Sequence, residues 1–251
     1  METQIIEKIR RIEDRLKIKV LYACESGSRA WGFPSPNSDY DVRCIYVHPL
    51  NWYVSVLDKK DHLEEPISGD LDISGWDLRK TLGLINKSNS VVWEWLQSPT
   101  VYLECKDFSK QLLQMAEPFF SPISGFHHYF SMAKRGNQEN EGTSKLKIKK
   151  YFYILRPLLA AAWICENKTV PPMRLEDLLK LEKVISSERE VITDLVSQKA
   201  SLEEGYEIDR IQQVEALIYR LVALCDAKGP GLSSHKGEIS DLDQFLRSWV
   251  K

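Results

Sequence analysis

Ile5, Ile9, Ile12 and Leu16 recur at intervals of three and four, with charged residues between them. That spacing predicts an amphipathic helix over about residues 3–16. The run KVLYACE that follows reads as a strand, ended by Ser26-Gly27-Ser28. FPSPNS, with two prolines, an asparagine and two serines, reads as a loop. DYDVRCIYV is a second strand, with Tyr40, Val42, Cys44 and Tyr46 on one face and Asp39, Asp41 and Arg43 on the other. A charged, turn-rich stretch from Asp58 to Gly69 leads to a third strand, DLDISGW. DLRKTLGLINKSNSVVWEWLQS then carries apolar residues at helical intervals, with a break at Ser88-Asn89-Ser90 and Asp77 placed as an N-cap. TVYLEC is a candidate short strand.

Beyond about residue 106 the period lengthens, predicting helices over 107–117, 122–135, 144–166, 174–186, 188–200, 207–227 and 240–250. Pro171-Pro172 and AKGPGLSSHKGE are helix stops. The expected class is α+β: a small mixed sheet with flanking helices over residues 1–105, followed by an all-helical region over 106–251.

Composition narrows the class without naming a function. Of 251 residues, 43% are hydrophobic and 28% charged, an ordinary globular balance. The net charge of −2 gives no global basic field for nucleic acid, although a local basic stripe remains compatible with it. The five cysteines are scattered with no C-x-x-C pair, which argues against structural zinc or a disulfide framework and for a reducing cytosol. The charged first twenty residues do not resemble a signal peptide, and the apolar run PLLAAAWIC is too short to span a bilayer. No membrane partner is expected.

The chemistry concentrates in GSRAWGFPSPNSDYDV. On a strand, residues i and i+2 share a face, so Asp39 and Asp41 project side by side and repel unless solvent or a cation intervenes. Mg²⁺ is commonly held by one or two carboxylates together with phosphate oxygens. A third carboxylate on a neighbouring strand completes such a site: Asp72 fits the alternation best, and Asp70 competes. Gly27-Ser28 sits at a turn where backbone amides and a hydroxyl can meet phosphate.

Arg29 and Arg43 flank the motif and suit either phosphate contact or pairing with the aspartates. In the second half, Lys145, Lys149 and Arg156 fall within about 40° of one another on a helical projection. They lie beside an apolar stripe and suit a triphosphate or an acceptor backbone. The histidines form no metal pattern, and Trp76, Trp93, Trp95 and Trp163 read as core residues.

GSRAWGFPSPNSDYDVR resembles the Gly-Ser…Asp-x-Asp signature of the DNA polymerase β-like nucleotidyltransferases. The wider pattern through DISGWDLRK, EWLQSP and KKYFYILRPLLA is similar to a bacterial and phage branch that includes RNA-repair-associated members. The resemblance spans roughly residues 20–165 and every position of the signature is intact. It implies that Gly27 and Ser28 contact the β- and γ-phosphates of a nucleoside triphosphate. It further implies that Asp39 and Asp41 bind Mg²⁺ or Mn²⁺, and that Asp72 is the third acid. A nucleoside monophosphate would pass to a hydroxyl by two-metal catalysis, with pyrophosphate released. The resemblance leaves the acceptor open between an RNA or tRNA end and a partner protein receiving AMP; a nucleotide-binding regulator without turnover is the remaining alternative.

Overall fold

The computed structural model describes residues 1–203, 205–234 and 236–250; His235, in the expected helix-stop segment, lies outside them. The chain runs through α1 (Glu2–Leu16), β1 (Lys19–Glu25), α2 (Gly27–Trp31), β2 (Tyr40–Val47), α3 (Leu50–Tyr53), β3 (His62–Glu64) and β4 (Leu71–Asp77). Next come α4 (Leu78–Asn86), α5 (Ser90–Leu96), β5 (Val101–Glu104), α6 (Phe108–Ala116) and α7 (Pro122–Gln138). The remainder is β6 (Lys145–Lys147), α8 (Ile148–Asn167), α9 (Leu175–Leu178), α10 (Ser186–Lys199), β7 (Glu207–Asp209), α11 (Gln212–Lys228) and α12 (Ile239–Trp249). A mixed, mostly antiparallel sheet accompanied by many helices makes the class α+β.

Two compact units emerge. One comprises Met1–Gly27, Asp39–Phe120 and Lys236–Lys251; the other comprises Ser28–Ser38 and Ser121–His235. The first is built on a five-stranded mixed sheet of order β3-β4-β2-β1-β5. Only β2 and β4 pair in parallel; the other neighbours are antiparallel. Ile5, Ile9 and Ile12 of α1 pack on one sheet face, against Val20, Val42, Cys44, Tyr46 and Ile73. Burying each such side chain contributes about 1.5–3 kcal/mol, and this face fixes the strand register, because a one-residue slip would expose the whole set. Asp41, Arg43 and Asp72 are therefore committed to the opposite face. The expected caps are present: Asp77 accepts from the Arg79 amide at 2.8 Å, and Asn89 restarts the helix by accepting from Val91 at 3.0 Å.

The second unit centres on α8, buried along nearly its whole length from Tyr151 to Cys165. Here the expected helix over 144–166 begins late. Lys145-Leu146-Lys147 is a strand, paired antiparallel with Glu207-Ile208-Asp209, so the helix expected from 207 also begins late, at Gln212. The partners Lys145↔Asp209 and Lys147↔Glu207 set opposite charges across from each other, around Leu146↔Ile208. Such pairs stabilise a short ladder that a single-segment helical projection does not reveal. The helix expected over 174–186 shortens to Leu175–Leu178, followed by turns. Among the described residues no helix is long and apolar enough to cross a membrane.

Candidate active site

The parallel pairing of β2 with β4 places Asp41 directly beside Asp72. Arg43, two residues along β2 on the same face, reaches back between them. Its Nη2 donates to Asp41 Oδ1 and to Asp72 Oδ2, each at 2.8 Å. Its Nη1 donates to the Val42 carbonyl at 3.1 Å and to the Asp72 carbonyl at 3.3 Å. The guanidinium is thus fixed to the backbone while neutralising two carboxylates. The aspartate side chains remain 29% and 31% exposed, so a ligand can reach them. Asp70 lies in the turn before β4, exposed, with its carbonyl accepting from the Tyr40 amide at 2.7 Å. Of the two candidates for third acid, Asp72 is the one beside Asp41.

The end of β1 supports this cluster from below. Glu25 is 2% exposed, and its Oε1 accepts from the Asp41 amide at 2.8 Å. Its Oε2 accepts from the Tyr102 hydroxyl on β5, and its backbone carbonyl accepts from Ser98 Oγ at 2.6 Å. A buried carboxylate needs such partners. Glu25 closes an otherwise apolar strand, KVLYACE, and that placement was the available signal for a positioning role that strand periodicity alone did not assign. Gly27 follows with φ +62°, and a Cβ there would run into Asp41 Oδ2. Glycine is required both by the left-handed backbone and by the close approach to that carboxylate.

Burial pushes the Asp41 carboxyl above its ordinary range; Arg43 opposes the shift, while the charges of Asp72 and Asp39 add to it. Asp39 is exposed just before β2, two residues from Asp41 and close enough for its charge to be felt there. Among the described residues no three His, Cys, Asp or Glu side chains form a ready-made metal cage. The donor set nevertheless fits Mg²⁺ or Mn²⁺. Mg²⁺ characteristically takes one or two carboxylates and completes its shell with water and substrate phosphate. Here two carboxylates already share one positive charge, carried by the Arg43 guanidinium.

The other expected site residues belong to the second unit. Ser28 Oγ donates to Ser38 Oγ at 3.1 Å, and Arg29 Nε and Nη2 donate to the Ser38 carbonyl at 3.2 and 2.7 Å. Ser38 Oγ also accepts from the Ser35 amide at 2.9 Å, so these contacts organise the loop. Lys145, expected on one helix face with Lys149 and Arg156, is instead an exposed residue of β6; only the other two lie on α8. The strand pairing with Asp209 removed it from the helix. Lys149 is half-buried. Arg156 is 3% exposed, donating from Nε to the Met173 carbonyl at 3.1 Å and lying 4.5 Å from the Trp31 ring centre.

Gly27 against Asp41, with Asp72 in register on the next strand, is an arrangement compatible with the polymerase β-like nucleotidyltransferase signature that the sequence resembles. Residues 1–248 match the RNA repair pathway DNA polymerase beta family, RlaP, and the chain belongs to that family. It is 41% identical over 255 residues to "Uncharacterized protein YcgL" of Bacillus subtilis (strain 168), covering 100% of this chain and 97% of that protein. A crystal structure of a nucleotidyltransferase-like protein from Exiguobacterium sibiricum 255-15 aligns over 98% of this chain and 81% of that one. Its sequence identity is 13% and its TM-score 0.32.

Two outcomes follow from the geometry. Gly27→Ala should destabilise the protein by about 1–3 kcal/mol in chemical denaturation. In an Asp41→Ala background the same change should cost less, because the clash is gone; equal costs would place the effect in backbone strain alone. The second concerns pH. A carboxyl whose folded pKa is raised adds stability fully below its unfolded value of 3.8, and that stability is lost as pH rises through the folded pKa. Asp41→Asn should therefore raise the melting temperature of metal-free protein at pH 7 and give no such gain near pH 3. A gain of equal size at both pH values would contradict the assignment.

Proposed function

We propose that this protein is a metal-dependent nucleotidyltransferase that moves a nucleoside monophosphate from a nucleoside triphosphate to a hydroxyl on an RNA end, a tRNA end included, releasing pyrophosphate. The observation that carries the reading is the in-register pair Asp41 and Asp72, held together by one guanidinium and closed on by Gly27. The RNA acceptor is supported by the repair pathway in the family's name. The five cysteines, all free, support a reducing cytosol.

Asp39, Asp41 and Asp72 would hold Mg²⁺ or Mn²⁺, which supplies charge neutralisation at the transferring phosphoryl group and lowers the pKa of the attacking hydroxyl. Glu25 holds the Asp41 backbone from below, so the carboxylate is aimed without conformational search. Asp72, on the neighbouring strand, is the residue to orient the attacking hydroxyl and take its proton. Arg43 is the residue to restrain both acids whenever no metal is bound. Gly27 lets the turn close against the Asp41 carboxylate, and Ser28 and Arg29 are the residues proposed to contact phosphate oxygens. Within the second unit, Lys149 and, from β6, Lys145 are the proposed further phosphate contacts, whereas Arg156 is buried against the Met173 carbonyl and the Trp31 ring.

Incubation with each α-³²P-labelled nucleoside triphosphate, Mg²⁺ or Mn²⁺ and bulk RNA tests the reading. Label should enter RNA with stoichiometric pyrophosphate, and Asp41→Asn or Asp72→Asn should reduce transfer about 100-fold or more, a loss of several kcal/mol. Label in protein would redirect the reading to AMP transfer onto a partner, and nucleotide binding without pyrophosphate would redirect it to a regulator. Undiminished transfer by either variant would refute the site.

A further inference from the structure

The opposite end of the same sheet carries a second concavity. A cavity of about 480 Å³ opens where β1 starts and β2 ends, lined by Lys17, Lys19 and Lys106 together with His48 and Trp249. No carboxylate is among its described lining residues. All three lysines are exposed, and none enters an ion pair among the described residues. Neighbouring cations behave differently: Arg10 pairs with Glu13, Arg15 with Glu65 and Lys80 with Asp61. Three unmatched ammonium groups around one hollow repel one another, and a polyanion relieves that repulsion.

The aromatic lining narrows the ligand. Trp249, half-buried at the end of α12, is held edge-on to Phe108 with ring centres 5.1 Å apart. His48 stacks on Trp52, ring centres 4.1 Å apart and planes 7° from parallel. Burial, aided by Lys59, lowers the His48 pKa to about 4, so at neutral pH its ring is an uncharged flat surface. Cations that follow a backbone, combined with rings on which bases stack, are the pattern of single-stranded nucleic-acid binding. The cavity lies within the size range of small-molecule sites, which suits one nucleotide unit.

We propose that this cavity binds a nucleotide unit within a single RNA strand, its phosphates held by Lys17, Lys19 and Lys106 and a base resting on Trp249. The assignment rests on the RNA-acceptor reading above and deepens it. β1 runs from Lys19 at the cavity to Glu25 beneath Asp41, about 20 Å at strand spacing. The cavity would therefore hold the acceptor some nucleotides away from its reacting end. It would also give an acidic protein a local basic hold on RNA.

The test is fluorescence anisotropy with a fluorescein-labelled single-stranded RNA of about 20 nucleotides, longer than a typical single site. EDTA is present, so that metal-bound chemistry does not contribute. The proteins compared are wild type, a Lys17→Glu/Lys19→Glu/Lys106→Glu variant and Trp249→Ala, each checked for folding by circular dichroism. The triple variant should bind about tenfold or more weaker, and its salt slope should fall by about 2, from three lost phosphate contacts on a single strand. Trp249→Ala should weaken binding with the slope unchanged. If the triple variant binds RNA like wild type, the cavity assignment is overturned. Should wild type in that case still label RNA, the acceptor reading stands. If wild type neither binds nor labels RNA, both fail together. Loss of affinity for free ATP with RNA binding unchanged would overturn the strand assignment in favour of a free nucleotide.

Discussion

Two carboxylates side by side on adjacent parallel strands repel, and Arg43 supplies the positive charge that offsets the repulsion. Like charges about 4 Å apart repel by about 4 kcal/mol in a surface-like dielectric, and the Arg43 guanidinium between the two acids offsets that repulsion in this register. The register itself is dictated from the other face, where α1 buries the alternate residues of the same strands. Hydrophobic packing thus fixes the position of the acids, and the guanidinium makes that position affordable. Glu25 and Gly27 add the remaining constraints, one holding the Asp41 backbone and the other allowing its carboxylate to lie against the turn.

That dependence explains what was legible in the sequence. The period-two pattern of β2 and the period of α1 are local, so the faces bearing Asp41 and Arg43 could be read directly. The parallel partnership of β2 with β4 is long-range, and Asp70 and Asp72 share one face of the segment by alternation alone. Only the observed pairing places Asp72 beside Asp41. Arg43 had phosphate and carboxylate as equal prospects because a guanidinium suits both. Its two backbone acceptors, the carbonyls of Val42 and Asp72, now tie it to the acids.

The second unit was less legible for a related reason. Lys-Leu-Lys and Glu-Ile-Asp are three-residue segments about sixty positions apart, and neither has a period long enough to compete with the helix beside it. Their complementary charges become a signal only when both are seen together. Arg156 and Lys199 illustrate a further limit: both are charged, yet both are buried. Arg156 is satisfied by a carbonyl and an aromatic face, and Lys199 donates to Ser35 Oγ at 2.9 Å. A helical projection assigns such residues to an edge, whereas the buried rings of Phe33 and Phe152, stacked with centres 4.7 Å apart, show that side of α8 to be interior.

The central proposal is that a divalent cation can take the place that Arg43 holds between Asp41 and Asp72. The most direct measurement is an anomalous difference map from a crystal soaked with Mn²⁺ and a non-hydrolysable nucleoside triphosphate. The expected result is a Mn²⁺ peak coordinated by both aspartates, with the Arg43 guanidinium released from at least one of them. Bound nucleotide with no peak there, and Arg43 still bridging the pair, would contradict it.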